Sequence, residues 1–425
     1  MANENENSTL FDTLETSKNG SIIAHLFIPM MATLFFIQAF RAYVPGLYIA
    51  MFHVVFQDPG WIGSFFTVLT ILFFIIPLFT NKLCKRFGQE KIYLISIVIV
   101  AIARLLIAAH LPSLAENILA ALVVAFYGIY FSIFLKRLVQ NDMGMELKAK
   151  MSIFSVTFIA AFLLDSVFRT IGYSSDISLI TIHLNPALWY ILQYIWLAVQ
   201  VPLSLLLIWF SFRSRTEIFP EEKVEETEAM RNEPWVLNAG GFGMFFFLIF
   251  NVFLYPNAIA EYTNTEYAII NPIMTGAIIL ALVYLLFGKE KSIYNIEINI
   301  CFNIILLLAL AAVLFLGTTW PYLTASFMSL SIAVMFLNTH VLITNMRTPR
   351  KKGNLLKQFS KLMSYGVLFF ILMTFLHAFT TDYAFTISAF QGLGPLILFI
   401  GGCIFTLTTL LAHMQLNKFE KGRSD

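Results

Sequence analysis

About twelve stretches of some twenty apolar residues follow one another along this chain, and the basic residues between them fall in every second loop. Of the 27 Lys and Arg residues, only Arg41, Arg104 and Arg169 lie in the interior of the apolar stretches, while Lys91 and Lys136 stand at the very ends of theirs. A chain patterned this way is solvated by lipid, with its basic loops on the cytoplasmic side. Composition agrees, since 59% hydrophobic and 12% charged residues leave too little polar surface to cover a water-soluble core.

The stretches fall at 22–50, 60–80, 91–110, 116–136, 151–173 and 188–211, then at 236–257, 266–287, 296–316, 319–343, 362–381 and 388–413. Their length and lack of two-residue alternation predict helices rather than the short strands of a membrane barrel, so the expected fold is all-α. The expected organisation is an N-terminal tail at 1–20, a six-helix bundle at 21–211, an acidic linker at 212–235, a second six-helix bundle at 236–413 and a tail at 414–425. The linker, rich in Glu and poor in large apolar residues, reads as a solvated connector. The N-terminal tail has no basic segment or small-residue cleavage site, and the first apolar stretch is the expected insertion signal.

The two halves resemble each other. Arg86-Phe87-Gly88-Gln89-Glu90-Lys91 recurs as Leu286-Phe287-Gly288-Lys289-Glu290-Lys291 after the eighth stretch. Gly144-Met-Glu-Leu147-Lys148 is matched by Gly353-Asn-Leu-Leu356-Lys357, and Phe36 precedes Pro45 by the same interval as Phe247 precedes Pro256. Three matches in one order suggest a duplication, and parallel six-helix repeats are an architecture of secondary transporters.

The stretch Asn81-Lys-Leu-Cys-Lys-Arg-Phe-Gly-Gln-Glu-Lys91 resembles the G-x-L-A-D-R-x-G-R-R/K motif of the major facilitator superfamily. Leu83, Arg86 and Gly88 agree with it, while Asn81 and Lys85 depart from it. The resemblance implies two six-helix bundles related by a pseudo-twofold axis, with alternating access to a small-molecule site between them. It also makes Arg86 and Gly88 candidates for a conformational loop. On the residues alone, Gly88 permits a positive φ or a close backbone approach, and the basic residues face lipid headgroups.

The candidate chemistry lies in the first half. Counted from the cytoplasmic helix ends, Arg41, Arg104, Asp165 and Arg169 all stand about 20 to 27 Å up, in one layer. Asp165 and Arg169 are four residues apart on one helical face and can pair. The four groups still carry a positive excess, which an anionic small-molecule substrate would neutralise. A structural alternative has Asp165 and Arg169 as a packing pair, with Arg41 and Arg169 snorkelling to the outer headgroups.

The second half offers neutral polar groups, among them Asn251, Asn271, Asn303, Asn338, His340 and His377. Such groups often serve only interhelical hydrogen bonds. Asn338 and His340 are the expected cavity wall there. Pro45, Gly46 and Pro256 stand near the outer ends of the first helix of each half and are candidate hinges for an outer gate.

Other classes have little support. Cys84, Cys301 and Cys403 are too scattered for a disulfide framework, no metal-ligand spacing occurs, and no cofactor fingerprint is present, so neither metal nor cofactor is expected. No hydrolase, kinase or metalloprotease motif points to an enzyme. The net charge of +2 reflects loop bias and gives no support to nucleic-acid binding. The expected partners are a small solute, the lipid bilayer and a coupling ion, for which Asp165 is the carboxylate well inside an apolar stretch. The reading is a multi-pass cell-membrane transporter with both termini cytoplasmic; the alternative is a non-transporting membrane protein such as a lipid-modifying enzyme or a sensor.

Overall fold

The computed structural model describes residues 26–39, 75–109, 113–140, 156–165, 186–219, 276, 279–288, 296–316, 320, 322–324, 326–327, 329–331, 333–334, 337–338, 361, 403, 406–407, 409–411 and 414. Every element among them is helical. In chain order these are α1 (Leu26–Ala39), α2 (Thr80–Phe87), α3 (Gln89–Ala108), α4 (Ser113–Gln140), α5 (Val156–Asp165), α6 (Pro186–Arg213), α7 (Arg215–Ile218), α8 (279–287) and α9 (Ile296–Leu316). Shorter helical pieces fall between 322 and 338 and between 403 and 414. The chain is an all-α, polytopic membrane protein, and α3, α4 and α9 are each long and apolar enough to cross a bilayer.

The apolar helices form for a physical reason beyond propensity. In hydrocarbon each backbone N–H and C=O must be satisfied within the segment, and a helix does this. The serines inside these helices follow the same rule: Ser96, Ser132, Ser211 and Ser331 donate their hydroxyls to the carbonyls of Ile92, Gly128, Leu207 and Phe327, four residues back. Pro202 interrupts the ladder of α6 on an exposed face.

In the first half the core is built around α1, which is buried on nearly all sides from Ile28 to Ala39. That matches its sequence, which is apolar all the way round rather than along one stripe. Phe36 stacks on Tyr127 of α4 with ring centroids 4.2 Å apart, and Thr33 Oγ1 lies 2.9 Å from the Tyr127 hydroxyl. Phe27 meets Phe210 of α6 at 4.8 Å. Helix α3 packs against both α4 and α6, and Ser204 of α6 donates to the Ala101 carbonyl of α3 at 3.4 Å. Along α4 the buried rings of Tyr127, Tyr130, Phe131 and Phe134 recur at helical spacing and form a continuous aromatic seam, which Tyr93 of α3 joins at 5.3 Å from Tyr130.

Two expectations are corrected here. The segment after the second stretch, expected as a loop, is mostly helix: α2 ends at Phe87, α3 starts at Gln89, and Gly88 is the single joint. Gly88 has φ 88 and ψ 145, a conformation essentially open to Gly alone, and its N–H closes α2 by donating to the Cys84 carbonyl at 3.0 Å. Nothing stands within 4 Å of where a Cβ would sit, so the backbone angle rather than a close approach requires the glycine. At the matching place in the second half, Gly288 donates to the Tyr284 carbonyl at 2.8 Å, so the repeated Phe-Gly ends a helix in both halves.

The second correction concerns the start of the linker. Its first residues are helical and partly packed: α6 runs on to Arg213, α7 follows, and Ser214 and Ile218 are buried while Phe212, Arg213, Arg215 and Thr216 are exposed. Phe219 then lies between the Arg137 guanidinium, 4.6 Å from its ring, and the edge of Tyr93, 5.3 Å away. The expected stretches at 236–257 and 362–381, the linker beyond Phe219 and the N-terminal tail lie outside the described residues.

Candidate functional site

Arg104 sits near the C-terminal end of α3 with 0% of its surface exposed, the bulkiest of the fully buried side chains among the described residues. A guanidinium stays charged at any physiological pH and carries five donors in a planar fork, so its burial in an apolar bundle demands polar company. That company comes from two helices that flank α3. Arg104 Nε donates to Gln38 Oε1 of α1 at 2.9 Å, and Gln200 Nε2 of α6 reaches the same oxygen at 3.5 Å. Gln38 and Gln200 are 4% and 0% exposed. Counted from Leu26, Gln89 and Arg213, the three residues stand about 18 to 22 Å along their helices, so they form one layer across α1, α3 and α6.

Asp165, at the described end of α5, is also fully buried. Arg41 and Arg169, the other two arginines of the expected layer, lie outside the described residues, as do Pro45, Gly46, Pro256 and His340. Arg86 is exposed on α2, with its guanidinium 5.3 Å from the Phe87 ring, and lies at the helix end where a cation complements the dipole. Beside it Cys84 is buried, and desolvation pushes its thiol up to about 11 against the opposing charges of Lys136 and Arg137. It is a neutral, unreactive thiol at physiological pH.

In the second half Asn338 is fully buried, and its Nδ2 donates to Asn303 Oδ1 of α9 at 3.2 Å. Asn303 in turn donates to the Asn299 carbonyl at 2.8 Å. Asn338, expected to line a cavity, is therefore engaged in an interhelical amide pair, with its own Oδ1 left without a hydrogen-bond partner among the described residues.

Sequence reasoning missed Gln38 and Gln200. The available signal was an amide inside an apolar stretch at the depth of Arg104, the same kind of residue that was noticed as Asn in the second half. It also missed the tyrosines of the α3–α4 seam, which a phenol count at helical spacing along α4 would have found.

No family profile and no curated protein matches the sequence. Solved structures do. The chain is similar to the proton:xylose symporter XylE, with a TM-score of 0.57 at 13% identity, covering 94% of this chain and 95% of that one. It is also similar to a bacterial homologue of the iron transporter ferroportin in an outward-facing state, with a TM-score of 0.56 at 12% identity and coverage of 93% and 99%. The chain has the major facilitator superfamily fold. A third structure of this fold, FucP in the outward conformation, aligns with a TM-score of 0.52 at 11% identity, covering 92% of this chain and 99% of that chain. Near end-to-end coverage of both partners means that this fold accounts for nearly the whole chain. The low identities leave the chemistry of the site to be read from this chain's own residues.

Proposed function

We propose that this chain is a secondary transporter that carries a small anionic solute across the membrane by alternating access, with Arg104 as the anion-holding group. The observation that carries the reading is a fully buried guanidinium placed by three helices in one layer, with neutral amides at its Nε edge. The apolar stretches of this half contain three arginines against one aspartate, a positive excess that a bound anion would offset. A carboxylate or phosphate matches a guanidinium fork in charge and in plane. Similarity in fold to a proton:xylose symporter supports a small solute as the cargo without fixing its charge.

In this reading the 21–211 and 236–413 bundles rock about the site, and Arg41, Asp165 and Arg169 complete the charged wall. Asn338 and His340 supply a neutral wall opposite, Pro45, Gly46 and Pro256 form the outer hinge, and Arg86 with Gly88 forms the inner turn. Both termini are cytoplasmic in the cell membrane, and Asp165 is the group on which a coupling ion would act.

The test is solute flux into proteoliposomes, comparing labelled anionic, neutral and cationic solutes at matched size. The expected result is saturable uptake of an anion that falls to the protein-free background in Arg104→Gln, with Arg104→Lys intermediate. Uptake confined to neutral or cationic solutes, or unchanged anion flux in well-folded Arg104→Gln, would refute it.

A further inference from the structure

The amides around Arg104 are oriented by the arginine itself, and that orientation leaves a specific pair of groups over. A guanidinium has donors and no acceptor, so Gln38 must turn its oxygen to Arg104 Nε, at 2.9 Å, and its nitrogen away. Gln200 Nε2 approaches that same oxygen at 3.5 Å, which turns the Gln200 oxygen away in turn. The two atoms left over are Gln38 Nε2, a donor, and Gln200 Oε1, an acceptor. Both are buried, and both are without a hydrogen-bond partner among the described residues. Buried polar atoms are nearly always satisfied in folded proteins, so a donor and an acceptor left open beside a buried cation need an occupant.

We infer that Gln38 and Gln200 read a hydroxyl on the anion that Arg104 holds, so that the solute class is a small hydroxycarboxylate. This rests on the anionic reading of Arg104. A hydroxyl accepts and donates at one oxygen, so a single group can take the Gln38 N–H and give its proton to Gln200 Oε1. An ammonium in that place would donate only, leave the Gln38 N–H unanswered and face the charge of Arg104. A methylene would leave both amides open. Because the three side chains come from α1, α3 and α6, a solute bound there would also tie these helices together, and they must part to admit it, since the layer is closed in this structure.

The test is a binding isotherm on the purified full-length protein with two matched pairs, lactate against propionate and malate against succinate. The expected result is that the hydroxy acid of at least one pair binds at least about tenfold more tightly than its partner, because a site built to hydrogen-bond a hydroxyl discriminates strongly against the analogue that lacks it. Gln200→Leu is expected to bring the two acids of that pair to within about twofold of each other while propionate or succinate binding is retained. Equal affinity within both pairs for the wild type overturns the inference and leaves the anionic reading standing. Absence of binding by all four acids overturns both. The wild-type comparison needs no variant, so a Gln200→Leu protein that does not fold leaves the decision intact, whereas a folded one that keeps its discrimination refutes the role of Gln200.

Discussion

Helices α3 and α9 each come after a Phe-Gly pair that ends a helix, yet they handle a mid-membrane polar group in opposite ways. Helix α3 carries Arg104, wholly buried and bonded to Gln38 of α1, whose oxygen Gln200 of α6 also approaches. Helix α9 carries Asn303, also buried, which accepts from the Asn338 amide and donates to its own helix. Helix α9 buries Leu306, Ala309, Leu310 and Val313 on one side and exposes Phe315 by 86% and Leu308 by 65% on the other, as suits a span with one lipid-facing side. A neutral amide needs one or two hydrogen bonds to rest in hydrocarbon; a cation needs a shell. Among the described residues the more demanding polar burial lies in the first half, and each prediction below measures how deep that asymmetry runs.

The largest effect is expected where a shell member is removed from the charge. Gln38→Leu should destabilise the protein by about 3 kcal/mol, because a buried ion that loses a partner keeps its desolvation cost. Adding Arg104→Leu should recover at least about 1 kcal/mol of that loss, a coupling that a double-mutant cycle in denaturant-induced unfolding would read. A Gln38→Leu cost no larger than that of Asn338→Leu would erase the contrast between the halves.

Next comes the turn that the halves share. Gly88→Ala should cost about 1 to 3 kcal/mol, since φ 88 with ψ 145 suits Gly alone. Among the described residues Gly88 is the positive-φ glycine, so Gly288→Ala should cost less than about 1 kcal/mol. Equal costs would show that sequence repetition here means equal backbone strain, contrary to the geometry.

A smaller effect is expected in the second half. Asn338→Leu should cost about 0.6 kcal/mol, the average of an interhelical hydrogen bond in a membrane bundle, because Asn303 keeps its bond to the Asn299 carbonyl. The same unfolding assay measures it, and a loss above about 2 kcal/mol would place a more tightly built polar centre in the second half than the amide pair provides.

The smallest effect is chemical rather than energetic. Burial holds the Cys84 thiol protonated up to about pH 11 where an open one would ionise near 9.0, so its alkylation rate should climb through that interval instead of levelling off near pH 9. Any stability tied to the neutral thiol is complete below pH 9 and is lost as the pH rises through 11. A rate that plateaus near pH 9 would show the α2 end beside Gly88 to be open.

Much of the fold was legible because lipid imposes a long apolar run on every span. The stretch read at 296–316 coincides with α9, and that at 91–110 differs from α3 by two residues at each end. The expected 116–136 fell short of α4 because hydropathy marks the apolar part of a helix, while Arg137 and the residues up to Gln140 extend it toward the interface. Helix α7 was missed for a related reason: one buried Ile218 among polar neighbours is too weak a signal for a span-length window.

At the site, Arg104 was legible as a charge that has no business in hydrocarbon without partners. Gln38 and Gln200 were not, since an uncharged amide barely lowers the hydropathy of its stretch and the pairing depends on helices far apart in sequence. Asn338 was noticed, but whether an intramembrane amide faces a cavity or a neighbouring helix is decided by packing, which a single sequence does not contain.

The account turns on Arg104 holding an anion through its guanidinium plane, and the most direct measurement is the affinity of one bound carboxylate for the wild type, Arg104→Lys and Arg104→Gln by calorimetric titration. The account predicts a graded series. Lys keeps the charge but loses the fork and should weaken binding by about tenfold, while Gln should abolish it. Folded Arg104→Gln protein that binds the same carboxylate with unchanged affinity would contradict it.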